Sequence, residues 1–267
     1  MTAVAKAGHW LGRWVVLAVA VALWQVWADG RHSVFFPPPS AIVARMYHLW
    51  FSGPASHLSL TASATGNILP SLSRIGIGLG IAIVIGFPLG LVLGRSRAIS
   101  AYTEPLVHYG RSLPPVALLV VFIAMFKLGD QMEIAYITFG TIWPILVNTI
   151  DGARTVDPLQ VETARVFRLS GWERVRRLIV PATLPKFFAG LRISVSLALV
   201  LMVIGELFGS TDGIGNLMNS AYGNYDMTEL WSGMVLLGIL GYLLNAIVLG
   251  IERYALAWHR GARRRAS

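Results

Sequence analysis

Leu230 to Ile251 runs for 22 residues without a single charged side chain. Five further stretches are nearly as apolar: Leu11 to Trp27, Ile75 to Leu93, Leu113 to Phe126, Ile134 to Val147 and Phe187 to Phe208. A helix needs roughly 20 mostly apolar residues to cross the hydrocarbon core of a bilayer. Repeated runs of this kind exclude an ordinary soluble domain, in which ~25% of residues are charged; here the fraction is 13%, with a mean hydropathy of +0.63. The expected fold is therefore all-α and polytopic, with six transmembrane helices. The third and fourth runs are short, and because Pro114 and Pro115 open the third, its helix is expected to start upstream near Tyr102. Trp24, Gln25 and Trp27 close the first run in the manner of an interfacial belt, so that run reads as a retained anchor rather than a cleaved signal.

Basic residues give the orientation, because loops rich in Lys and Arg stay cytoplasmic. With the N-terminus inside, only Arg31, Arg45, Arg74 and Lys127 fall outside, leaving 18 of the 22 basic residues on the cytoplasmic side. Both termini are then cytoplasmic. The net charge of +9 follows from this topology and from attraction to anionic lipid, without nucleic acid. The arginine tail, Arg260 and Arg263 to Arg265, reads as a lipid-headgroup anchor.

The same topology puts a charged block, Val161 to Pro185, in the cytoplasm between the fourth and fifth spans. Asp157 and Pro158 begin a helix there, with Gln160 reaching back. Ser170 and Glu173 form a second Ser-x-x-Glu start, setting Trp172, Val175, Leu178 and Ile179 on one face of a second helix. Pro181 and Pro185 are expected to interrupt that helix before the fifth span. A solvated topogenic loop needs less structure than this, and a DNA-reading helix-turn-helix would lack a third helix for its core. A docking element for a cytoplasmic partner fits better.

Catalytic signatures are missing from the sequence. It has no H-E-x-x-H or G-x-S-x-G, no cysteine, and none of its three lysines (Lys6, Lys127 and Lys186) ends a phosphate-cradling loop. No catalytic residue, metal site or cofactor is expected, and ATP chemistry would have to come from another polypeptide. Glu206 is the clearest acidic residue deep in a span, and an ionisable group there is a functional candidate by default. The alternatives are interhelical glue or an outer-interface position. Beyond it, Asn219 and Tyr222 belong to a polar, aromatic outer segment without basic residues. Gly190, Ser194, Ser196, Gly233, Gly238 and Gly241 supply small faces for helix packing.

Glu162, Thr163 and Ala164, followed by Leu178, Val180 and Pro181, resemble the E-A-A…G…I-x-L-P loop of permease subunits of ATP-binding-cassette importers. Phe36 to Ile42, Leu72 to Gly78, Arg111 to Val116, Thr149 to Arg154, Gly205 to Gly215, and Glu252, Arg253 and Trp258 resemble the nitrate, sulfonate and taurine branch. The resemblance covers roughly Phe35 to His259, nearly the whole chain. The resemblance implies a type I importer permease fold forming one domain over residues 1–267, with a core at 68–253, a coupling loop at 151–186, and a first span at 11–27 followed by an outer loop to 71. It further implies a paired, likewise homodimeric, permease working with ATPase subunits and an extracytoplasmic solute-binding protein in a bacterial inner membrane. ATPase coupling would fall to Glu162, Thr163, Ala164, Arg165, Phe167, Arg168 and Gly171, and the translocation path or gate to Glu206, Asn219 and Tyr222. The solute implied is small: nitrate, a sulfonate, taurine or a relative. A secondary transporter and a membrane-tethered signalling or interaction protein are the alternatives. Arg168 occupies the motif's glycine position, and Gly171 is expected to take over the turn, lengthening the docking helix.

Overall fold

The computed structural model describes residues 3–31, 33–54 and 60–257, with side chains from residue 15 onward. The arginine tail and Trp258 therefore lie outside the described residues. Every regular element among those residues is helical: α1 (Ala3–Arg31), α2 (Pro39–Met46), α3 (Ala62–Arg95), α4 (Arg97–Ser112), α5 (Pro115–Phe126), α6 (Asp130–Arg154), α7 (Pro158–Val166), α8 (Gly171–Arg174), α9 (Val180–Gly209), α10 (Ile214–Gly223) and α11 (Met227–Ala255). The chain divides into two compact units, residues 1–69 with 217–236 and residues 70–216 with 237–267.

Four helical segments are long and apolar enough to cross a bilayer: Ala62–Arg95, Asp130–Arg154, Gly171–Gly209 and Met227–Ala255. Six spans are reached only by adding α1, which has 29 residues, and by counting α4 with α5 as one bent span. The third run corrects the expected upstream start. Leu113 is extended, with φ −68° and ψ 122°, because the residue before a proline is pushed out of the helical region. The chain consequently turns by 93° between α4 and α5. With 12 residues, α5 rises only about 18 Å.

A second correction concerns Pro181 and Pro185, which do not interrupt the helix. Residues Gly171 to Gly209 form a helical path of 39 residues. A π turn at Val175–Ile179, in which Val180 N–H donates to the Val175 carbonyl, inserts one extra residue just before Pro181. Such a bulge re-registers the backbone ladder where a missing proline N–H would otherwise break it.

In the second unit the core gathers Ile75, Leu79 and Ala82 of α3, Met132, Tyr136, Ile137 and Ile145 of α6, and Val195, Ala198, Leu201 and Met202 of α9. Close approach of α6 to α9 depends on Gly190, where a Cβ would sit 2.5 Å from the Pro144 carbonyl oxygen. Nearby, the Ser194 hydroxyl donates to the Thr141 carbonyl at 2.7 Å. Gly241 likewise faces Leu199, and within the first unit Gly233 faces Met218. The expectation fails at two positions: Ser196 is exposed and donates to the Arg192 carbonyl of its own helix, and Gly238 has open space around it.

In the first unit, the proline-containing segment is pinned by aromatic rings. Trp24 lies 5.0 Å from Trp231, and Trp231 Nε1 donates to the Phe35 carbonyl at 2.9 Å. Arg45 bridges Asp226 at 2.8 Å and Glu229 at 2.5 Å.

Candidate functional site

Two parts of the second unit concentrate charged side chains, and they lie at opposite ends of its long helices. The first is built on Arg74, three turns into α3 and only 3% exposed. Its guanidinium meets four carboxylates. Nε and Nη2 reach Asp130 Oδ1 at 2.8 and 2.6 Å, Nη1 reaches Glu206 Oε1 at 2.9 Å, Nη2 reaches Asp212 Oδ1 at 2.5 Å, and Nε lies 3.3 Å from Glu133. Glu133 and Glu206 are fully buried. Asp130 and Glu133 occupy the first turn of α6, where the helix dipole favours negative charge.

Glu206 is satisfied from several directions. The Ser71 hydroxyl donates to Oε1 at 2.7 Å, and Gly215 N–H donates to Oε2 at 2.8 Å. Ile214 N–H donates to Ser71 Oγ at 2.9 Å, closing the ring. The loop can come this near only because residue 213 is glycine: its φ is +100°, and a Cβ there would run into the Glu206 carboxyl group. Burial works against ionisation of Asp212, but hydrogen bonds from Arg74 and Ser210 outweigh it and hold the carboxyl below the usual carboxylate range.

The second part is the α7 segment. Asp157 accepts from Leu159 N–H at 2.8 Å, with Pro158 at the first helical position. The expected return bond from Gln160 does not form among the described residues. Ala164 is the one buried residue of α7. Glu162, Thr163, Arg165, Phe167, Arg168 and Gly171 are all exposed, and Glu162 pairs with Arg165 at 3.0 Å. Large apolar side chains also face outward: Val166 is 81% exposed, Phe167 76% and Trp172 72%.

The turn after α7 departs from expectation. Arg168 itself takes the left-handed conformation, with φ +54°, and Gly171 does not. Arg168 N–H donates to the Arg165 carbonyl at 2.8 Å and Leu169 N–H to the Ala164 carbonyl at 3.0 Å. These bonds satisfy the last carbonyls of α7, so the helix ends at Val166 rather than extending. The second start forms as the sequence indicates: Glu173 N–H donates to Ser170 Oγ at 3.2 Å, and Ser170 N–H donates to Glu173 Oε2 at 3.0 Å.

Asn219 and Tyr222, three residues apart on α10, are both exposed and belong to the first unit, whereas Glu206 belongs to the second. Sequence reasoning singled out Glu206 but missed Arg74, Asp130, Glu133 and Asp212 as its companions. A signal existed: Arg74 and Glu133 each sit one residue before an expected span, and Arg74 is one of only four basic residues expected outside. A guanidinium at such a boundary needs a counter-charge.

Known proteins resemble this chain along most of its length. The sequence profile for the binding-protein-dependent transport system inner membrane component matches residues 78–257. The putative aliphatic sulfonates transport permease protein SsuC of Bacillus subtilis (strain 168) is 28% identical over 95% of this chain and 89% of its own length. The nitrate import permease protein NrtB of Synechocystis sp. is 30% identical over 89% of this chain and 86% of its own, and the taurine transport system permease protein TauC of Escherichia coli (strain K12) is 26% identical over 91% and 88%. Among solved structures, a chain of the inward-facing MetNI methionine ABC transporter has the same fold, with a TM-score of 0.62 and 22% identity over 71% of this chain and 94% of that one. The chain thus belongs to the inner membrane components of binding-protein-dependent transport systems: it is a multi-pass permease subunit of an ATP-driven importer, not an enzyme, and its ATPase and solute-binding protein are separate chains.

Proposed function

We propose that two copies of this chain form the translocation path for a small solute such as nitrate, taurine or another sulfonate, and that Glu162 to Gly171 is the segment that engages the ATPase. One observation carries the second point: α7, the turn after it and α8 leave Val166, Phe167 and Trp172 exposed. Exposed side chains of that size suit a partner's groove, and Glu162 and Arg165 add charges beside it. The termini are assigned to the cytoplasm, as the distribution of basic residues supports, and the whole chain is taken to work as one permease domain surrounded by lipid.

Glu206 is assigned a gate role rather than a path-lining one, since its carboxylate is buried and bonded to Arg74, Ser71 and Gly215. Asn219 and Tyr222 are assigned to the outer mouth or to contact with the binding protein, which their exposure supports. The solute assignment leans on the relatives' substrates.

The test is reconstitution with the cognate ATPase and binding protein, measuring hydrolysis and uptake together across nitrate, taurine, alkanesulfonates and bicarbonate. Exchanging Glu162 for Arg is expected to abolish stimulated uptake while leaving normal amounts of inserted protein. Normal uptake by that variant would refute the docking assignment, and stimulation by none of the solutes would refute the solute class.

A further inference from the structure

A cavity of about 700 Å³ opens between the end of α3, the first turns of α4, the end of α6 and the start of α7. Arg95, Arg97 and Arg154 line it, together with Ser100, Glu104 and Glu162. The charges in this wall are unequally committed. Arg154 donates to the Ser100 hydroxyl and lies 3.6 Å from Glu104. Glu162 is taken by Arg165 at 3.0 Å. Arg95 reaches only a neutral acceptor, the Ala153 carbonyl, at 3.4 Å, and Arg97 has no ion pair or side-chain hydrogen bond among the described residues. Both carboxylates are thus occupied, while two guanidinium groups stand without a counter-charge.

A second feature points the same way. α4 is 16 residues long and begins at this cavity; Ser96 caps it by accepting from Ile99 N–H at 3.3 Å. The positive end of the helix dipole there adds to the arginine field. Planar guanidinium forks match the oxygens of a tetrahedral oxyanion in paired hydrogen bonds. The rest of the wall includes Leu93 and Val161, leaving room for an organic substituent on the anion.

We propose that this cavity binds a phosphate group, held by the exposed guanidinium groups of Arg95 and Arg97. It lies at the ends of α3 and α6, two helices long and apolar enough to cross a bilayer, so a phospholipid diester is one source and free phosphate the other. The site stands independently of whether α7 engages an ATPase. Because Glu162 and Val161 form part of the wall, occupancy props α7 against α4.

The test uses the full chain purified in neutral detergent and stripped of lipid. Binding of phosphatidylglycerol in mixed micelles is followed by native mass spectrometry. Binding of inorganic phosphate is followed by the shift in thermal unfolding midpoint, against chloride at equal ionic strength. The variant Arg95→Gln/Arg97→Gln is compared with Arg176→Gln/Arg177→Gln, which removes the same charge outside the cavity. At least tenfold weaker phosphatidylglycerol binding in the first variant only identifies a lipid site. Loss of the phosphate-induced shift in the first variant only, with lipid binding intact, identifies free phosphate. Equal losses in both variants, or none in either, overturn the proposal. Should the double variant fail to fold, Arg97→Gln alone decides: Arg97 has no ion pair or side-chain hydrogen bond to lose among the described residues, and unchanged binding of both probes would overturn the site.

Discussion

The Arg74 hub and the α7 segment treat charge in opposite ways. At the hub, four carboxylates from α6, α9 and the loop after α9 converge on the guanidinium of Arg74 from α3, and two of them are fully buried. At α7, the charges and the largest apolar side chains face solvent, and the one ion pair on the helix is local and exposed. A buried charge is costly unless paired, whereas an exposed i,i+3 pair contributes at most a few tenths of a kcal/mol. One end of the unit is therefore tied together by its own side chains, and the other carries its charges and large apolar groups in the open.

Substitutions at the two ends should separate cleanly. Arg74→Ala leaves Glu133 and Glu206 buried without a counter-charge and is expected to cost about 3–5 kcal/mol, read as a collapse of the thermal midpoint of the detergent-solubilised protein. Should Glu162→Arg destabilise the fold as much, the contrast between the ends breaks. Gly213→Ala forces a side chain into the left-handed region and against the Glu206 carboxyl, for an expected loss of about 2 kcal/mol in the same measurement. Ser170→Ala removes the reciprocal cap of α8 and should cost about 1 kcal/mol, with faster amide exchange confined to Gly171–Arg174. Arg168→Gly is the smallest and opposite in sign. Relief of the left-handed strain is partly offset by greater freedom in the unfolded chain, giving a gain of up to about 1 kcal/mol. A loss there would mean that the Arg168 side chain makes contacts outweighing its strain.

How legible each region was depended on how local its causes are. Asp157 with Pro158, and Ser170 with Glu173, act within three residues, so the starts of α7 and α8 could be read from the sequence. The hub draws on positions 74, 130, 133, 206 and 212, and no window along the chain contains them together. Glu206 deep in a span, Glu133 at a span boundary and Arg74, a cation on the side that basic residues avoid, hinted at it separately, but nothing in the sequence joined them. Prolines misled in both directions. Pro114 and Pro115 were read as lying within a longer helix and instead mark a right-angled turn, whereas Pro181 and Pro185 were read as breaks and are absorbed after a π turn. What separates the cases is whether the preceding backbone can re-register, and that is a property of the packed helix. Arg168 was misjudged for a related reason: the carbonyls at the end of α7 require a left-handed residue at that point, and their hydrogen bonds hold an arginine there despite its Cβ.

The 39-residue path from Gly171 to Gly209 joins these two ends in a single rod, about 58 Å long at 1.5 Å per residue. Glu206 is three residues from one tip, Gly209; Trp172 is at the other. A tilt of about 5° applied at the Trp172 end sweeps the far tip through about 5 Å, well beyond the 2.9 Å that separates Glu206 from Arg74. No hydrogen bond stretches that far. A stroke of this size either carries the Arg74 hub along as one block or parts it outright, so a rocking lever of this kind converts a gradual push into a step with two positions.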